Sequence, residues 1–260
     1  MSRLIAFVVI LAAIVPNGFS SVVIKHRAKS CYEVKEYLQA NENGFYNLFD
    51  SLGSPYTTYC DFESDTPFVW TLIESFSLQE AQKTANRKGV YVNHPIGECI
   101  LSWSAFRLSR LRMDTIISSY GTTHYRTTCN FNYVNGTGLA NRRDYLRGEI
   151  CRRSYFHSTW ALNRYGQPTY ICNYVDYVNV RGTTCRKCTV PFVRPTSSVH
   201  EHIDLSIAAS HCSKFTPTDS ISNEDVFGHY GNANPLFSCA SNVNSTTNWW
   251  LGGAYIAEAF

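Results

Sequence analysis

Ten cysteines follow an apolar N-terminal leader, and this combination constrains the fold more than any other feature of the chain. Arg3 opens the leader, Leu4 to Val15 run for twelve residues without a charge, and Pro16 and Gly18 break the run. Gly18 and Ser20 are small, so residues 1–20 have the pattern of a signal peptide with cleavage expected near Ser20. A bilayer span needs about 20 apolar residues, so no membrane insertion is expected. An oxidising compartment and an even cysteine count predict disulfides and no free thiol. The expected half-cystines are Cys31, Cys60, Cys99, Cys129, Cys151, Cys172, Cys185, Cys188, Cys212 and Cys239. The count does not choose their partners.

Residues 21–30 form a short basic arm containing "KHRAK". Residues 31–260 are long enough to bury one core and are expected to be a single domain. Of 23 lysines and arginines, Arg3 leaves with the leader, so 22 face 20 acidic side chains in a nearly neutral secreted chain. No basic run exceeds the arm, which gives nucleic acid no electrostatic footprint. Asn135-Gly-Thr137 and Asn244-Ser-Thr246 are N-glycosylation sequons, so Asn135 and Asn244 are expected in solvent-facing stretches.

Tyr32, Val34, Tyr37 and Leu38 predict a short helical stripe, followed by a turn at "NENG" where Gly44 is free to take a positive φ. "FYNLF" and "YTTYCDF" read as strands around a Gly/Pro loop. Phe68, Trp70 and Leu72 alternate with Val69, Thr71 and Ile73, the pattern of a strand buried on both faces. Helices are predicted at 77–89, ending at Gly89, and at 103–116, where Arg107, Arg110 and Arg112 would lie on a solvated face. "YICNYVDYVNVRG", residues 170–182, is a further strong strand. The expected class is α+β: disulfide-rich, with short helices, a mixed β-sheet and long loops.

The order of cysteine, short helix, glycine, Tyr-containing strand, Cys-Asp and tryptophan strand resembles the start of the fibrinogen C-terminal domain. Cys31, Gly44, Tyr46, Tyr59, Cys60, Asp61, Trp70 and Thr71 match it, and the resemblance is strongest over 31–76. It implies a bond between Cys31 and Cys60. Near the other end, Cys239, Ala240, Trp249 and Trp250 match the family's Cys-Ala and tandem Trp. The family's cysteine after the tandem Trp is missing. Its closely spaced calcium aspartates are missing too; Asp219, Glu224 and Asp225 are the nearest substitutes. Calcium binding is therefore expected to be weak or absent. Over nearly its whole length the chain resembles a divergent group of secreted cnidarian proteins, among them skeletal organic matrix proteins of reef-building corals. "WTLIESFS", "AFRLSRLRM", "TTCNF", "RDYLR" and "VNVRGTTCRKC" carry that resemblance.

Cys185-Arg-Lys-Cys188 lacks the strand-to-helix setting of a redox pair, and two structural half-cystines with separate partners are expected. Cys185, Cys188, His200, His202, His211 and Cys212 lack the histidine spacing of a zinc finger, so no metal and no cofactor is expected. No nucleophile elbow marks a hydrolase, and "RGE" at 147–149 is not the integrin tripeptide. No catalytic residue is singled out. Trp249, Trp250 and Tyr255, near the family's ligand-binding end, are the candidate ligand-binding residues, although a tandem Trp is more often core. The resemblances imply a secreted extracellular matrix component of a calcified skeleton, a scaffold or recognition module whose partners are other matrix proteins or glycans. The alternatives are a lectin-like recognition protein and a secreted enzyme.

Overall fold

Period-two apolar residues in the first half of the chain build three adjoining strands, and the last strand completes their sheet. A computed structural model describes residues 26–133, 144–150, 170–193, 195–205, 212 and 215–256. The strands are β1 (Gly44–Phe49), β2 (Pro55–Asp61), β3 (Phe68–Ser77), β4 (Ala105–Arg107), β5 (His124–Cys129) and β6 (Tyr145–Glu149). They continue with β7 (Tyr170–Val180), β8 (Thr183–Val193), β9 (His202–Asp204), β10 (Asp225–Val226) and β11 (Thr246–Ala254). Their order across the sheet is β1-β2-β3-β11-β5-β6-β7-β8-β9-β10, with β4 pairing aside on β3.

Every described pairing is antiparallel, so the described residues do not form the mixed sheet expected from sequence. Parallel neighbours need long crossovers, usually helical. The described α-helices are α1 (Cys31–Leu38), α2 (Leu78–Ala81) and α3 (Arg110–Ile117), none beyond eight residues. The class is thus antiparallel β with few short helices and several disulfides.

α1 starts where Ser30 caps it: the Ser30 hydroxyl accepts from the Glu33 amide, and the Glu33 carboxylate accepts from the Lys29 amide at 2.9 Å. Gln39, at φ 55°, ends it. Its buried side is Cys31, Tyr32, Glu33 and Val34; Tyr37 and Leu38 face solvent, so the apolar stripe read from sequence is only half used. Gly44 lies in β1 instead of taking a positive φ.

The two longer helices expected at 77–89 and 103–116 form only in part. The amides of Leu78 and Gln79 bond the carbonyls of Ser245 and Val243, and a 3₁₀ turn at Thr84–Asn86 replaces the helix's second half. Residues 105–107 pair with β3 as β4, and helix begins only at Arg110.

β11 is inserted between β3 and β5 at the centre of the sheet. Gly252 and Gly253 allow it: a Cβ at either would stand 1.9 Å from the carbonyl oxygen of Val69 or Gly121. Successive strand residues point to opposite faces. Trp249 and Trp250 are both buried, so the sheet is covered on both sides at this point.

Four disulfides among the described residues staple this frame. Cys31–Cys60 ties the first turn of α1 to β2, with Cα atoms 5.5 Å apart. Cys129–Cys239 joins the end of β5 to a 3₁₀ turn at Ser238–Ala240 across 110 residues of sequence. Cys172 bonds Cys212. Cys185 and Cys188 bond each other, which corrects the expectation of separate partners. In extended chain, residues three apart stand about 10 Å apart. Lys187, at φ 49°, kinks β8 between them and brings their Cα atoms to 6.1 Å. Cys99 is exposed, on the 97–100 turn, and has no disulfide partner among the described residues. Cys151 lies outside the described residues.

Candidate functional site

The tandem Trp is core. Trp250 is fully buried, with its Nε1–H donating to Thr128 Oγ1 at 2.9 Å and its ring 4.5 Å from that of Phe131. Trp249 faces the other way, 5.5 Å from the His200 ring. Neither can present a face to a ligand, which overturns the binding role considered for them. Tyr255 is half-buried, with the Lys35 ammonium 5.2 Å from its ring centre.

Three charged centres lie beneath the surface. In the first, Arg126 is wedged between aromatic rings, 4.4 Å from the Trp250 centroid and 4.8 Å from that of Trp70. Its guanidinium bonds Asp61 at 2.5 Å, and Ser64 bonds both partners. Burial pushes the Asp61 carboxyl up, but Arg126 and Ser64 outweigh it and hold it below the usual range. The aspartate of "YCD" is therefore a structural counter-ion.

The second centre joins β3, β4 and residues 88–92 and 200–201. Arg107 Nη1 lies 2.9 Å from Glu74 Oε2, and His200 Nε2 lies 2.6 Å from Glu74 Oε1. Arg107 also donates to the carbonyls of Lys88, Gly89 and Val92. It is wholly buried, so the solvated arginine face expected at 103–116 is wrong at this residue. Burial raises the Glu74 carboxyl, yet His200 and Arg107 together bring it below its ordinary value. Burial alone raises Glu201, whose two oxygens accept from the Val90 amide. The cavity beside His200 and Trp249 measures about 10 Å³, the space of a single water and too small for a substrate.

The third centre answers the calcium and zinc readings. Glu224 is fully buried, pairs with Arg181 and accepts from Asn234 Nδ2 at 3.0 Å. Asp225 accepts from the Asn232 amide at 3.0 Å and lies 3.3 Å from His202 Nε2. The Asp219 carbonyl accepts from Asn234, and its residue has φ 58°. The Glu224 and Asp225 carboxylates are thus engaged by protein partners. Cys185, Cys188 and Cys212 are spent in disulfides, His200 and His202 are buried against carboxylates, and His211 lies outside the described residues. Burial and the nearby His202 hold the His229 imidazole down to about 4, so it is neutral at physiological pH.

Among the described residues an open cleft of about 310 Å³ lies at the start of β11, lined by Asn130, Asn242, Asn244 and Ser245. Its walls are pinned: Asn130 Oδ1 accepts from the Thr246 amide, and Asn242 Oδ1 accepts from the Asn244 amide. Asn244 is exposed on the rim, and Asn135 lies outside the described residues. Sequence reading named Asn244 as a glycan acceptor but had no signal for the cleft, which needs Asn130 and the 242–245 turn brought together across the sheet. No protein-family model matches the chain, and no curated protein matches it.

The geometry makes a statement about Asn244. Its sequon hydroxyl, on Thr246, is buried and donates to Asn132 Oδ1 at 3.3 Å. Glycan transfer must therefore precede closure of β11 onto β5. Protein secreted by a eukaryotic host is expected to carry a glycan on the Asn244 peptide, seen by mass spectrometry. Folded, unglycosylated protein exposed to the transferase is expected to stay unmodified. A bare Asn244 peptide from the secreted protein contradicts this.

Proposed function

We propose that this chain is a secreted extracellular matrix component of a calcified skeleton, acting as a scaffold or recognition module for other matrix proteins or glycans. The observation that supports the reading is the direction in which its chemistry faces. The tandem Trp and three acid–base centres turn inward and brace a stapled sheet, while the open surface at β11 is an asparagine-lined cleft with Asn244 exposed on its rim. Amide side chains offer both donors and acceptors, which suits sugar hydroxyls and peptide backbone alike. The same cleft supports a second reading, a lectin-like recognition protein.

Charge argues against a mineral template. Templating by charge needs arrays of carboxylates, because calcium takes oxygen ligands. The 20 acids here are dispersed, and Asp61, Glu74, Glu224 and Asp225 are held by protein donors. Calorimetry on the purified glycosylated protein at physiological salt is expected to give only weak, millimolar calcium uptake; several micromolar sites per chain would overturn the scaffold reading. Antibody staining should place the protein in demineralised skeletal matrix. A glycan array that lights up and is silenced by chelator would favour the lectin instead.

A further inference from the structure

Three side chains from three neighbouring strands meet outside every centre described above. His124 opens β5, Glu149 closes β6, and Asp176 lies in β7. His124 and Glu149 are direct cross-strand partners. The β6–β7 ladder ends at Arg147–Tyr177, and Asp176 is the next residue beyond it. One nitrogen or oxygen from each of the three lies within 4.8 Å of the other two. The His124 and Asp176 side chains are 18% and 20% exposed, enough for an ion to reach them.

We propose that His124, Glu149 and Asp176 form a binding site for a borderline transition-metal dication, with Zn²⁺ as its natural probe. Asp176 Oδ2 is buried and has no hydrogen-bond donor among the described residues; its near polar contact is His124 Nε2 at 3.4 Å. The other imidazole nitrogen, Nδ1, is 2.7 Å from Thr123 Oγ1. In the tautomer that donates its Nδ1 proton to the Thr123 hydroxyl, the Nε2 lone pair faces the Asp176 carboxylate oxygen. Two lone pairs so placed call for an electrophile between them. A metal-bound histidine commonly has its second nitrogen held in this way. The ring is further held edge-on to Phe68, with centroids 5.0 Å apart. Arg147, the neighbouring cation, is bound by Asp65 at 3.1 Å and lies 4.1 Å from the Phe68 ring centre.

The donor set selects the ion. One imidazole and two carboxylates suit zinc and its neighbours, whereas calcium takes oxygen ligands alone. Ligand atoms at zinc distances stand about 3.3 Å apart, so small side-chain rotations from the present spacing complete the shell. Three protein ligands leave a fourth position for water or for an anionic group of a partner.

The test is calorimetric titration of untagged, chelator-stripped full-length protein with Zn²⁺, Cys99 being alkylated beforehand. One equivalent should bind with micromolar or tighter affinity, and millimolar Ca²⁺ should not compete. His124→Ala and Asp176→Asn should each weaken binding by about 10- to 100-fold or more, and Thr123→Val by about 10-fold. If a variant does not fold, Co²⁺ in the parent supplies the readout: intense visible bands of a four-coordinate nitrogen–oxygen site, without thiolate charge transfer. No saturable binding, binding lost on alkylation of Cys99, or full affinity in folded His124→Ala would each overturn the proposal. The first of these outcomes would leave the three groups sharing a proton rather than a metal.

Discussion

Replacing Arg107 by leucine will destabilise the protein by about 3–5 kcal/mol, the cost of leaving a buried partner without its counter-charge. Arg107 is fully buried and reaches Glu74 and three main-chain carbonyls. Leucine fills part of the volume but leaves the carboxylate to His200 alone and strands the three carbonyls away from water. Urea denaturation at neutral pH should show the midpoint falling with little change in slope. Leu108 beside it is equally buried but apolar, so Leu108→Val is the control, and should cost only about 1 kcal/mol. An Arg107→Leu loss as small as the control's would mean that the ion pair barely exceeds its desolvation cost. The same centre sets a pH dependence. Burial lowers the His200 imidazole, but Glu74 outweighs it and raises His200 above its ordinary 6.5. Stability from that pair is fully present below 6.5 and is lost as pH rises through the raised folded value. Denaturation midpoints should therefore decline as pH rises above 6.5.

Removing the Cys129–Cys239 bond will be the costliest disulfide deletion. The loop it closes spans 110 residues, which in the loop-entropy relation corresponds to about 4.8 kcal/mol. It anchors the end of β5 beside β11, the strand that joins the two halves of the sheet. The Cys185–Cys188 bond closes a separation of only three residues, for which the same relation gives about 2 kcal/mol. Paired alanine variants of each, compared by guanidinium denaturation without reductant, should differ by about 3 kcal/mol. Equal losses would show that local packing, rather than the constraint on the unfolded chain, decides what these bonds contribute.

The sequence by itself determined the parts of the fold that neighbouring residues settle between them. The stretch holding Tyr32, Val34, Tyr37 and Leu38 reads as helix because its apolar residues share a side, and Cys31–Leu38 is helical. β1, β2, β3 and β7 read as strands because β-rich residues there stand between turn residues. The setting of Cys185 and Cys188 in a strand argued against redox chemistry, and they do lie in β8. Other features depend on partners far along the chain. Residues 103–116 carry a helical pattern, but the edge of β3 offers ladder bonds to 105–107, and Glu74 draws Arg107 inside. Cys188 bonds Cys185 because one residue between them adopts a left-handed backbone, which no composition rule singles out. Trp249 and Trp250 could be read as surface or core; only the insertion of β11 between β3 and β5, with both faces covered, made them core. The asparagine cleft and the His124, Glu149 and Asp176 group are decided the same way. Their members are polar residues with no local pattern, and only the order of strands brings them within reach of one another. Local propensity acts over a turn or a hairpin, whereas burial and ion pairing are settled by whichever distant segment arrives, and that is fixed only when the sheet closes.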